Sequence, residues 1–128
     1  MNEELNTETD SRFPSGPWFG FYRQDGEQSR QRFSLTFRDG RITGGGPDPV
    51  SPFKVDGTYD IASGAVRITK SYMQYKVYYN GSNDGDGICG LWEIPSGFTT
   101  DSGEFHIWPD ELAMEQSRRL EATAPVEA

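Results

Sequence analysis

Few side chains in this chain can do chemistry. His106 is the one histidine and Cys89 the one cysteine, among 20 acidic and 12 basic residues in 128 positions. A single histidine excludes a multi-histidine metal site. It leaves a Ser-His-Asp triad as a formal option only, because no G-x-S-x-G nucleophile elbow occurs. The alternation around His106 puts it on an outer face, as a surface histidine. Cys89 also points outward and has no His or Cys beside it in sequence, so an inert, half-buried thiol is expected. No acid, base and nucleophile set converges. The expectation is a protein that is not an enzyme and uses no cofactor.

The stretch from Ser82 to Glu93 nearly fits a calcium loop. Asp84 and Asp86 fall at ligand positions three and five, Gly87 at six and Glu93 at twelve. Position one is Ser82 instead of Asp, however, and the flanks KVYY and ICGLW read as strands where a calcium hand needs helices. A hairpin loop rich in turn formers is therefore expected, with no metal.

Lys70 is more informative. It shares the apolar face of its strand with Val66, Ile68 and Tyr72, and a buried ammonium is costly unless paired. One reading puts it at a rim, its stem covering apolar surface and its head in water. The other has it facing an anionic ligand group. Tyr22, Tyr59, Tyr72 and Tyr79 would then offer hydroxyls, and Trp18 and Trp92 flat walls. Apolar walls with a few polar groups are how small-molecule pockets are made.

The elements that must position these residues read as short strands. From Tyr75 to Pro109 the chain forms three alternating segments joined by two Gly-rich turns, and the same grammar runs upstream. Strand one is expected over Trp18–Gln24, with Trp18, Gly20 and Tyr22 on one face. Strand two covers Arg32–Arg38 and aligns Phe33, Leu35 and Phe37, a clear period of two. Asp39-Gly40 is a strong hairpin turn. Strand three, Arg41–Gly45, is short and ends at Pro47-Asp48-Pro49, whose prolines donate no ladder hydrogen bonds. Strands four to eight are expected at Phe53–Ile61, Val66–Tyr72, Tyr75–Asn80, Ile88–Ile94 and Glu104–Trp108. Inward Gly20, Gly57 and Gly90 either leave a cavity or let neighbouring rings fill the interior. After Pro109, Asp110 is a plausible N-cap for a short helix with a thin apolar stripe of Leu112, Ala113 and Leu120.

Eight short antiparallel strands in sequence predict an all-β, up-and-down meander closed into a barrel, since closure removes exposed edges. An open two-sheet sandwich is the alternative. Residues 1–13 are polar and read as a disordered tail, residues 14–110 as the barrel, and residues 111–128 as helix and tail. The net charge of −8 argues against nucleic acid and anionic membranes as partners. The acidic start lacks the apolar core of a signal peptide and no run reaches membrane-span length. With one cysteine and hence no intrachain disulfide, the expected compartment is the cytoplasm.

Gly16-Pro17-Trp18 opens the first strand as a G-x-W, and Gly90-Leu91-Trp92 repeats it. This opening resembles that of calycin barrels, the lipocalin, fatty-acid-binding and avidin-like superfamily. The resemblance implies an eight-stranded barrel whose base is closed by Trp18, with an arginine from beyond the last strand, Arg118 or Arg119, packed over it. The avidin biotin signature has Asn two positions after the Trp, where this chain has Gly20, and lipocalin disulfides cannot form. Neither biotin binding nor a secreted-carrier role carries over. The function expected is a non-catalytic binding barrel for a small, partly apolar, anionic ligand. The alternative is a protein or peptide interaction module with a filled barrel, using the outer aromatics Phe19, Phe21, Tyr78 and Trp108.

Overall fold

The computed structural model describes residues 9–46 and 52–123. The polar segment 1–8, residues 47–51 with Pro47-Asp48-Pro49, and residues 124–128 lie outside them, as do the side chains of Arg118 and Leu120. Eight strands pair in sequence order and β8 returns to β1, closing an antiparallel barrel. The strands are β1 Gly16–Gln24, β2 Glu27–Arg38, β3 Arg41–Gly46, β4 Phe53–Tyr59, β5 Ala65–Ser71, β6 Lys76–Asn83, β7 Ile88–Ser96 and β8 Thr99–Pro109. One helix, α1 Glu111–Thr123, follows.

Local chemistry explains the connections. Both early hairpins turn on Asp-Gly pairs: Asp25 and Gly26 have φ of 53° and 81°, Asp39 and Gly40 of 53° and 80°. Two successive positive φ values make the tight turn whose twist matches the flanking strands, and Asp and Gly tolerate that region best. Inside the strands, Gly20 and Gly90 answer a different need. A Cβ on Gly20 would collide with the backbone carbonyl of His106, and one on Gly90 with that of Asn80. These glycines let adjacent strands approach closely around the barrel's curve.

The interior is a column of rings. At the base, Phe13, Trp18, Phe37 and Tyr59 interlock with centroids 4.8–5.4 Å apart. Above them, Tyr79 meets Phe105 at 4.9 Å and Phe33 at 5.9 Å, and Phe33 meets Phe53 at 5.7 Å. Edge-to-face and tilted contacts of this kind add about 0.5–1.5 kcal/mol each beyond the area they bury. Gln31 is the polar member of this layer. Its amide donates to the Phe21 carbonyl and accepts from the Tyr79 hydroxyl, so it is buried with partners.

Several expectations shift. Phe13, assigned by sequence to the tail, is fully buried and plugs the base. Arg12 beside it bonds Asp10 and reaches the backbone carbonyls of Ile61 and Asn83, tying the entering chain to two hairpin ends. Strand four stops at Tyr59. The next residues turn, with the Gly64 amide donating to the Asp60 carbonyl, and Ile61 is left half exposed. Strands two, six, seven and eight run longer than their hydrophobic alternation predicts, because their outer ends carry polar residues. The helix is capped as expected, the Ala113 amide donating to Asp110 Oδ1 at 3.1 Å. Its anchor is Met114, packed against Gly16, while Leu112 is exposed. Arg119 is exposed and pairs with Glu115 along the helix.

Replacing Phe13 with Ala removes a ring from the base and should cost about 3–5 kcal/mol in urea denaturation. The Asp10 carboxyl is lowered from 3.8 to about 2, chiefly by the side-chain hydrogen bonds of Arg12. A depressed carboxyl stabilises the fold fully above its unfolded pKa and loses that contribution as pH falls through the folded one. Stability should therefore decline between pH 4 and pH 2, and less steeply in Arg12→Ala.

Candidate functional site

The two ends of the barrel differ. β1 enters at the base, so the turns at 39–40, 60–64 and 84–87 ring the base together with α1 and the Phe13 plug. Among the described residues, the turns at 25–26, 72–75 and 97–98 ring the other end. At that end the column of rings stops short, and a cavity of about 240 Å³ opens, lined by Tyr22, Gln24, Lys70, Tyr72, Tyr75, Val77, Trp92 and Ile94.

Of the residues singled out by sequence, Lys70, Tyr72, Tyr22 and Trp92 meet here. The others lie deeper. Tyr79 sits in the layer below, bonded to Gln31, and Trp18 and Tyr59 belong to the base. Trp18 donates its indole N–H to the Pro14 carbonyl at 2.8 Å. Trp92 donates to the Arg23 carbonyl at 3.0 Å and meets Tyr22 edge-on at 6.1 Å.

Lys70 is directed inward by the parity of β5, between Ile68 and Tyr72, and is only 6% exposed. Its ammonium lies 4.5 Å from the Phe53 centroid, 5.1 Å from Tyr72 and 5.3 Å from Phe33. Cation–π attraction in a desolvated site reaches about 2 kcal/mol for a ring. Three rings together approach the several kcal/mol that burying an ammonium costs. The charge thus sits beneath the mouth, beside three ring faces, instead of at a wet rim.

Four lining residues were not read from sequence as site residues. Tyr75 was placed in strand six; it belongs to the 72–75 turn, half exposed and stacked on Tyr72 at 4.8 Å. The Tyr72 amide donates to the Tyr75 carbonyl, which holds the two rings together. Gln24 ends β1 and donates to the Asp101 carboxylate of the neighbouring β8 at the rim. Val77 and Ile94 close the wall. Period-two parity does mark Gln24, Val77 and Ile94 as inward, but only register brings them beside Lys70.

Outside the barrel, Trp108 packs on Phe19 at 5.2 Å, and His106 lies 5.0 Å from Trp108 and 6.1 Å from Phe21. Tyr78 stands apart, opposite Glu93. His106 Nε2 is 2.8 Å from the Asp86 carbonyl, so it donates there and pins the 84–87 turn to the wall. Cys89 is exposed, not half-buried, and its cross-strand neighbour is His106, a pairing that sequence spacing conceals.

The Ser82–Glu93 stretch is a hairpin. Asn83 accepts from the Gly85 amide and Asp84 from the Asp86 amide, while Glu93 stands five residues up β7 from Ile88. That is about 17 Å of strand, too far to close a cage with Asp84. Among the described residues no group of three or more His, Cys, Asp or Glu is placed to hold a metal. Calcium should leave the melting temperature unchanged. Saturable stabilisation abolished by Asp84→Ala and Asp86→Ala would overturn this.

No protein-family model matches the chain, and neither a curated protein nor a solved structure matches it.

Proposed function

We propose that this calycin-like barrel is a non-catalytic binding protein for a small, partly apolar, anionic ligand taken up at the open end. The observation that carries the reading is Lys70, a cation on the inner wall of a ring-lined cavity whose base is sealed. An anionic group entering from the mouth meets the Lys70 ammonium in a region of low dielectric, where electrostatic attraction is strong. Tyr22, Tyr72, Tyr75 and Trp92 supply apolar contact area, and the tyrosine hydroxyls supply hydrogen bonds that orient the bound group. A cytoplasmic location accords with the single free cysteine.

A second reading uses the outer wall. Phe19, Phe21, His106 and Trp108 form one connected aromatic cluster across β1 and β8. Such a patch suits a protein or peptide partner, since aromatics dominate binding hot spots.

Lys70→Met separates the two. It keeps an unbranched apolar stem, so the fold should survive, and removes the charge. Titration calorimetry with a panel of aromatic carboxylates and fatty acids should show Lys70→Met binding the preferred anion about ten- to a hundred-fold more weakly, the worth of one charge-assisted hydrogen bond. Neutral analogues should lose far less. Equal affinity of parent and variant for every anion on the panel would refute the site.

A further inference from the structure

We infer that the mouth selects a single-ring aromatic monocarboxylate, bound carboxylate-first, and excludes long-chain fatty acids. This rests on the reading of the mouth as a ligand site.

Size is the first argument. An apolar cavity of roughly 150 Å³ holds one benzene. On that scale 240 Å³ takes about ten non-hydrogen atoms, enough for a ring with a short acid arm. The floor fixes this limit. Phe33, Tyr79 and Phe105 are buried and packed on one another, and the Gln31–Tyr79 hydrogen bond ties that layer to β1 through the Phe21 carbonyl. Below them the Phe13 plug closes the base. A long acyl chain has nowhere to thread.

Shape is the second. The walls beside the opening are flat: Tyr22 and Trp92 stand perpendicular on one side, Tyr72 and Tyr75 lie stacked on another. A planar ring meets such walls by offset and edge-to-face contact, which a flexible alkyl chain cannot reproduce.

Charge is the third, and it sets orientation and valence. The ammonium is buried on the inner wall against Phe33, Phe53 and Tyr72, beneath the opening, so the carboxylate enters first. The trailing end of the ligand faces the outer rim, where Gln24 is bonded to the Asp101 carboxylate. A second negative group there would sit against a like charge, so a dicarboxylate is disfavoured.

Titration calorimetry on the full chain can decide. Phenylacetate should bind with one site per barrel. Palmitate, phenylacetamide and 1,4-phenylenediacetate should each bind at least about ten-fold more weakly, and octanoate, of matched size, several-fold more weakly. Ile94→Trp, at a half-buried wall position, should reduce phenylacetate affinity about ten-fold while the melting curve shows a folded barrel. Should palmitate or octanoate match or exceed phenylacetate and still depend on Lys70, the aromatic class is wrong and the binding barrel stands. Should 1,4-phenylenediacetate bind as well as phenylacetate, the orientation and valence are wrong. If no anion on the panel binds in a Lys70-dependent way, both readings fall together.

Discussion

An eight-stranded barrel encloses a column of space that must be filled, and how this chain fills it decides everything else. Large rings do the work: Phe13, Trp18, Phe37 and Tyr59 at the base, Phe33, Tyr79 and Phe105 above. The chain is only 34% hydrophobic, so area has to come from a few big side chains. Rings stack in discrete layers, and the layers end where the wall residues turn polar. The cavity at the mouth is what remains above the last complete layer.

That same packing explains how a lysine can point inward. Aliphatic neighbours would leave the Lys70 ammonium in hydrocarbon, at a cost of several kcal/mol. Phe33, Phe53 and Tyr72 turn their electron-rich faces towards it instead. The rings that stabilise the barrel therefore also flank its inward charge. Removing one to enlarge the pocket would weaken both.

The strand order and inner faces were legible because Phe33-Leu35-Phe37 and Phe105-Ile107 alternate cleanly and Asp-Gly marks the hairpins. Strand ends were not. Towards the mouth, inward positions such as Ser29, Asp101 and Gly103 are polar or small, so the hydrophobic period fades although the ladder continues. Phe13 escaped notice for the opposite reason: it is apolar but lies in no periodic segment. Lys70, Tyr72, Tyr22 and Trp92 were recognisable as one candidate group by parity alone. Depth along the barrel was not, because it depends on how each strand is offset from the next. Tyr59, Trp18 and Tyr79 share the inner face with Lys70 yet lie below its cavity.

The seam between β1 and β8 bears on how the molecule is made. Phe19 pairs with Trp108, near opposite ends of the described chain, and Arg12 reaches the Asn83 carbonyl from 71 residues away. The Arg12 contact cannot form before Asn83 has left the ribosome, and the seam cannot form before β8 has. Until then β1 presents an unpaired edge, and Phe19 and Phe21 lack the β8 rings that flank them in the finished wall. Folds dominated by such distant pairings assemble slowly. The nascent N-terminal half is thus held open by topology, and the last hairpin to emerge completes the barrel all at once.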